Sequence, residues 1–289
     1  MTTAALWYQG ARPKTLGAAL SPVLVGTAAG SLDGPIDWPR AAAAAVVALA
    51  LQVGVNYAND YSDGVRGTDA QRRGPVRLTA TGLAAPRAVR RAAFGAFATA
   101  AIVGTVLSLV VNPWLLVVGI AAVAAAVTYT GGPKPYGYIG LGEVMVLIFF
   151  GFVATVGSAY VQHATVPGVA WVAALAAGLP ACGILLANNV RDVDTDRVSG
   201  KRTVAVRIGA TRARGLYVAC IAGAMVAVVA CGAFAASALL AVLALPLAVA
   251  PVRAMLTRHD PPRLVAALIG TVRFQLVLCA LLAIGLWAG

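Results

Sequence analysis

From Val144 to Val190 the chain carries no Asp, Glu, Lys or Arg. No water-facing surface tolerates such a run, and it is far longer than the ~20 apolar residues that cross a bilayer. Five further windows share the property: 15–32, 41–59, 92–133, 215–252 and 274–289. Overall 60% of residues are hydrophobic and 11% charged, whereas soluble domains carry about 25% charged residues. The chain reads as an all-α, multi-pass membrane protein. Three windows are too long for one crossing, and each holds a break: "NP" at 112–113, "HATVPG" at 163–168 and "CGAF" at 231–234. The expected count is nine transmembrane helices in one domain, 1–289, with the last helix starting near Leu264.

Basic residues set the orientation. With the N-terminus cytoplasmic, the inner segments hold 20 of the 22 Lys and Arg residues. Only Arg40 falls in an outer loop, and Arg273 lies within the last helix. The net charge of +12 is therefore a topology signal. Nucleic-acid binding is disfavoured, because the basics alternate with spans instead of forming one patch. Arg12 and Lys14 before an apolar stretch read as the flank of a retained first helix, not of a cleaved signal.

Soft-metal and nucleophile chemistry find little support. Cys182, Cys220, Cys231 and Cys279 all fall in spans and form no CxxC pair, so they read as packing residues. His163 and His259 are far apart in sequence.

The acids are the informative residues. Only ten exist, and six lie in two short segments: Asp60, Asp63 and Asp69, then Asp192, Asp194 and Asp196. Aligning Asp63 with Asp196 exposes a repeat, since "DGVRG" and "DRVSG" both read D-x-V-x-G. Asn59 and Asp192 stand four positions earlier, Asn56 and Asn189 seven. Residues at i, i+3 and i+4 share a helix face. Asn56, Asn59 or Asp60, and Asp63 thus form one oxygen-rich stripe; Asn189, Asp192 and Asp196 form another. Asp194 falls off its stripe and reads as a solvated charge. Hard oxygen donors without sulfur suit Mg²⁺. Acids at a membrane are expensive and mark a functional cavity. Two other readings stay open here: loop salt bridges, and an ion-coupled transporter with paired intramembrane acids.

Basic loops follow both stripes. "RGTDAQRRGPVRLTATG" carries Arg66, Arg72, Arg73 and Arg77, and the second loop carries Lys201, Arg202 and Arg207. Acids, Mg²⁺ and arginines together make a diphosphate site, because the metal bridges carboxylate to phosphate and arginine adds bidentate hydrogen bonds. Arg77, Lys201 and Arg202 stand nearest the motif glycines and turns, and lead the list. Glu143 reads as a helix-opening acid favoured by the positive end of its helix.

These motifs resemble the UbiA superfamily of intramembrane aromatic prenyltransferases, with two aspartate motifs, matched at Asn59, Asp60, Asp63, Asp192 and Asp196. Within it the chain is most similar to the branch that prenylates 1,4-dihydroxy-2-naphthoate in menaquinone biosynthesis. "ARPKTLGAALSPVLVG", "NDYSDGVRGTD", "RRGPVRLTATG", "YTGGPKPYGYIGLGE" and "NNVRDVDTDRVSGKRTVAVRIG" carry that likeness over roughly the first 210 residues. The resemblance implies nine helices around a central cavity in the cell membrane, with the active site facing the cytoplasm. It implies Mg²⁺ as cofactor, and polyprenyl diphosphate and 1,4-dihydroxy-2-naphthoate as substrates. CO₂ and diphosphate would be lost, giving demethylmenaquinol. Other acceptors of the superfamily, such as 4-hydroxybenzoate or homogentisate, stay open. On this reading Asp60, Asp63, Asp192 and Asp196 are catalytic, and with Asn59, Asp69 and Asn189 they hold metal. Asn56, Arg66, Arg77, Lys134, Lys201 and Arg202 hold the diphosphate. Arg12, Lys14, Tyr129 and Tyr138 hold the aromatic acceptor. Two spacings depart from the family pattern: Gly67 stands where a further acid is common, and four residues, not three, separate Tyr129 from Lys134.

Overall fold

The computed structural model describes residues 3–67, 77–257 and 260–289, whose regular structure is all helix, with no strand among them. The elements in chain order are α1 (Thr3–Gly10), α2 (Pro13–Gly30), α3 (Trp38–Arg66), α4 (Pro86–Val111), α5 (Leu115–Thr128) and α6 (Gly142–Val146). A π-helical stretch, Leu147–Val153, leads into α7 (Ala154–His163). There follow α8 (Gly168–Arg191), α9 (Val193–Val198), α10 (Val204–Ile208), α11 (Ala210–Cys231), a 3₁₀ stretch Ala236–Ala244, α12 (Pro246–Thr257) and α13 (Pro261–Ala288).

Helix boundaries follow local chemistry. Prolines open α2, α3, α4 and α13 in their first turns, where a missing N–H costs nothing. Asp37 caps α3 by accepting from the Arg40 amide at 3.0 Å. Gly67 closes α3 with φ +71, a left-handed turn open to glycine. The three breaks read from the sequence coincide with the ends of α4, α7 and α11.

Among the described residues, seven helices are long and apolar enough to cross a bilayer. The bent pair Ala236–Ala244 and Pro246–Thr257, with a 46° break, makes an eighth if it is one span. The ninth expected helix is α5, which has only 14 residues. At 1.5 Å per residue it reaches ~21 Å, short of the ~30 Å hydrocarbon core.

The core lies where α2, α8, α11 and α13 pack together. α8 is studded with small buried residues, among them Ala170, Ala173, Ala177 and Ala181, which allow close helix approach. α3 and α4 form a hairpin at one side of the bundle and keep most of their surface outward. Ile102, Val106, Leu109 and Val110 on α4 are exposed apolar residues, as expected where the surrounding solvent is lipid. Trp38, Trp114, Trp171 and Trp287 are also exposed. Chain direction puts all four at the end of the bundle opposite the acid motifs, where they match an interfacial aromatic belt.

One tight crossing lies between the π-helical stretch and α8. A Cβ on Gly178 would sit 2.6 Å from the Cα of Gly151. Gly178→Leu should therefore force the two backbones apart, at a cost of at least about 1–3 kcal/mol. A thermal melt in detergent reads this as a lowered midpoint, and an unchanged midpoint would show that the crossing is not tight.

Candidate active site

The two acid stripes end at the same hollow. On α3, Asn56, Asn59, Asp60 and Asp63 are all buried. On the other side α8 stops at Arg191, Asp192 breaks the helix, and α9 carries Asp196. The Asp196 amide donates to the Asp192 carbonyl at 2.8 Å, so the i, i+4 relation survives the break. Gly200 then turns the chain at φ +78, and the Lys201 amide donates back to the Asp196 carbonyl at 2.9 Å. That turn aims Lys201 across the cavity, where its Nζ lies 3.3 Å from Asp63 Oδ1. The second motif thereby touches the first.

The shared cavity has a volume of about 850 Å³. Its polar end is lined by Asn56, Asn59, Asp63, Asn189, Asp192 and Asp196, with Arg77 and Lys201 among them. Its other walls are apolar and come from α3, α4, α5 and the π-helical stretch, including Leu51, Ile120, Phe149 and Phe150. A hollow that is charged at one end and greasy along its length fits an amphiphile with an anionic head.

Each motif acid has its own neighbours. Asp63 accepts from the Tyr138 hydroxyl at 2.5 Å and faces Lys201 and, at 3.8 Å, Arg77. Asp192 accepts both Nε and Nη2 of Arg191, at 2.7 and 2.6 Å. Asn59 Oδ1 accepts from the Thr130 hydroxyl at 2.6 Å. Asn56 donates to the Ala11 carbonyl at 2.9 Å and so ties α3 to the segment carrying Arg12. Arg12 and Tyr129 line the cavity, as do Tyr138 and Thr203. Burial pushes the Tyr129 phenol well above its ordinary range and Tyr136 up to about 12.

Several expected residues do not line the cavity. Asp60 is buried, but its two oxygens accept from the Leu78 and Thr79 amides, each at 2.8 Å. It anchors the turn that delivers Arg77. The reason is geometric: adjacent helix residues lie about 100° apart, so Asn59 and Asp60 cannot both face the hollow. Arg66 donates to the Thr130 and Gly132 carbonyls at 2.6 and 2.5 Å, clamping the 129–138 loop from outside. Arg202 is exposed, and its contribution is a backbone amide to the Tyr138 carbonyl at 2.7 Å. Lys14 and Lys134 are exposed, where solvation keeps their charges away from the cavity. Asp194 is exposed, as its place off the stripe implied. Asp69, Arg72, Arg73, Arg258 and His259 lie outside the described residues.

Other participants escaped the sequence reading. Arg191 looked like one topology-setting cation among many, yet it holds Asp192. Thr130 sits inside the quoted "YTGGPKPYGY" loop but carried no charge to single it out. Glu143 does stand in the first turn of its helix, but it is also buried and accepts from Asn189 Nδ2 at 2.9 Å.

The donor set is compatible with a hard divalent cation. Among the described residues no three of His, Cys, Asp and Glu converge as a metal cage; Lys201 and Arg77 face Asp63, and Arg191 pairs with Asp192. Mg²⁺ does not need a cage: it commonly takes one or two carboxylates and completes its shell with water and substrate phosphate.

Comparison with known proteins gives a consistent picture. The sequence profile of the UbiA prenyltransferase family matches residues 19–278. The 1,4-dihydroxy-2-naphthoate octaprenyltransferase of Mycobacterium tuberculosis is 50% identical over 217 residues, 75% of this chain and 74% of the relative. The Escherichia coli protein of the same name is 36% identical over 292 aligned positions, 97% of this chain and 94% of the relative. A UbiA homologue from Aeropyrum pernix K1, solved without ligand, superposes with a TM-score of 0.70 at 18% identity, over 94% of this chain and 98% of that one. One from Archaeoglobus fulgidus, bound to GPP and Mg²⁺, gives 0.66 at 15% identity, over 96% and 99%. At those identities the solved structures share the fold.

Proposed function

Because the chain belongs to the UbiA prenyltransferase family, we propose that it transfers a polyprenyl group from polyprenyl diphosphate to 1,4-dihydroxy-2-naphthoate. The products are diphosphate, CO₂ and demethylmenaquinol. One observation carries the reading: Asp63 of the first motif and Asp192 and Asp196 of the second line one cavity, with Lys201 reaching between them. The names of the relatives support the acceptor.

The chain is one prenyltransferase domain in the cell membrane. Its N-terminus and the polar end of the cavity face the cytoplasm, and α5 is the ninth crossing, a short one. The basic residues beside both motifs support that orientation.

Asp63, Asp192, Asp196 and Asn59 would hold Mg²⁺, whose chemistry is to neutralise the charge that builds on the departing diphosphate. Arg77 and Lys201 give up Asp63 and turn their donors to the diphosphate oxygens. Cations preorganised around developing negative charge act at the transition state. Asn56 holds the Ala11–Arg12 segment against α3. The prenyl chain runs along the apolar walls, which keep water from the allylic cation. An electron-rich ring in the same hollow then intercepts that cation.

Arg12 is the group for the acceptor carboxylate. It lines the cavity, and its backbone sits at φ 56, ψ 61, a left-handed conformation that only glycine adopts without cost. Strain of this kind concentrates at functional sites. A charge-assisted bond is worth about 1.5–3 kcal/mol, so Arg12→Ala should raise the acceptor KM about 10- to 100-fold while leaving the KM for prenyl diphosphate alone. Arg12→Lys should recover little, since lysine lacks the planar fork. Equal changes in both constants would remove Arg12 from the acceptor site.

The activity itself is tested with purified protein, Mg²⁺, a polyprenyl diphosphate and each aromatic acid in turn, using acceptors labelled in the carboxyl carbon. The expected result is one labelled CO₂ per prenylated naphthoquinol. Product with 4-hydroxybenzoate alone, label retained, would overturn the acceptor assignment.

A further inference from the structure

We propose that Glu143 is a positioning residue for the second motif, locking the Asn189 carboxamide so that its carbonyl oxygen faces the cation–diphosphate end of the cavity. The proposal rests on the reading of that end as a Mg²⁺–diphosphate site. Glu143 is 8% exposed and does not itself line the cavity, whereas Asn189 does. Its Oε1 accepts from Asn189 Nδ2 at 2.9 Å, and its backbone carbonyl accepts from Cys182 Sγ at 3.2 Å. Cys182 and Asn189 lie seven residues apart, on one face of α8, so Glu143 fastens α6 to α8 at two levels.

Chemistry fixes the sense of the amide. A carboxylate oxygen without a proton only accepts hydrogen bonds, and Glu143 Oε1 does so from the NH₂ end of the Asn189 carboxamide. The carbonyl end of Asn189 is then turned away from Glu143. A hard cation and its waters are served by that oxygen and repelled by an NH₂ group. Without Glu143 both senses of the amide become available. The other carboxylate oxygen, Oε2, is buried and has no hydrogen-bond partner among the described residues. Buried acceptors left in this state are rare and concentrate at functional sites.

The test measures free Mn²⁺ by electron paramagnetic resonance, with a prenyl S-thiolodiphosphate bound to the intact chain. Groups that orient metal ligands are commonly worth 10–100-fold in metal affinity. Glu143→Ala should weaken Mn²⁺ binding by about tenfold, and Asn189→Ala added to it should weaken binding little further. Combining Glu143→Gln with Asn189→Asp rebuilds the contact with donor and acceptor exchanged, and again leaves an oxygen toward the cavity. That variant should return to within about threefold of the unmodified chain. Should Glu143→Ala not fold, Glu143→Gln alone reads the same quantity, because glutamine can meet either end of the amide; it should weaken Mn²⁺ binding, and unchanged binding would overturn the proposal. Full Mn²⁺ affinity in folded Glu143→Ala, or simple additivity with Asn189→Ala, would overturn it while leaving the function standing. An unmodified chain that binds no Mn²⁺ would overturn the reading of the site, and this proposal with it.

Discussion

Asp63→Asn should abolish prenyl transfer, with a loss of about a thousandfold, the upper end for one preorganised electrostatic group. Asp63 is where both halves of the site converge: Tyr138 donates to it, Lys201 reaches it from the second motif, and Arg77 approaches at 3.8 Å. Asparagine preserves the side-chain shape and one acceptor oxygen, so the helix and its packing should persist. What disappears is the negative charge that gathers the cations and would ligate the metal. Single-turnover rates with saturating prenyl diphosphate read the effect directly. Circular dichroism and a melting midpoint within a few degrees of the parent would show that the loss is catalytic. Undiminished transfer by a folded Asp63→Asn protein would remove this carboxylate from the chemistry.

Lys201→Met should rank second, lowering kcat/KM for the prenyl diphosphate by about a hundredfold, as expected on removing one donor to a developing anion. The Lys201 ammonium lies 3.3 Å from Asp63 Oδ1 and 4.7 Å above the Tyr138 ring. The ring keeps the ammonium in place after the carboxylate is engaged elsewhere, since cations favour aromatic faces. Methionine retains the apolar stem and removes only the charge. The acceptor KM should not change, because Lys201 is assigned to the diphosphate end and Arg12 to the acceptor. A larger effect on the acceptor KM than on the diphosphate would exchange those roles.

The repeat of oxygen-bearing residues could be read from spacing alone, because helical periodicity puts i, i+3 and i+4 side chains together whatever the tertiary fold. Asn59, Asp63, Asn189, Asp192 and Asp196 are placed accordingly. Spacing did not separate Asn59 from Asp60, which are adjacent and both polar; only the turn at 77–79 shows which one faces the loop. The cations were harder still. Arg66, Arg77, Arg202, Lys14 and Lys134 all lie on segments that topology alone makes basic, and position within those segments does not reveal which side chain turns inward. Arg77 does so because Asp60 grips its turn. Glu143 was out of reach for a different reason: its partner Asn189 is 46 positions away, and no local pattern encodes that contact. α5 shows the limit of hydropathy, since apolar composition continues where helical length falls short of the membrane.

The claim beneath all of this is that both acid motifs serve one cation-bridged diphosphate. Anomalous diffraction from crystals grown with Mn²⁺ and a prenyl S-thiolodiphosphate tests it most directly. The account predicts metal density between the Asp63 carboxylate and those of Asp192 and Asp196, beside the analogue's phosphates. Analogue density in the cavity with metal absent there, or metal held by one motif while the other stays paired to its own cations, would contradict it.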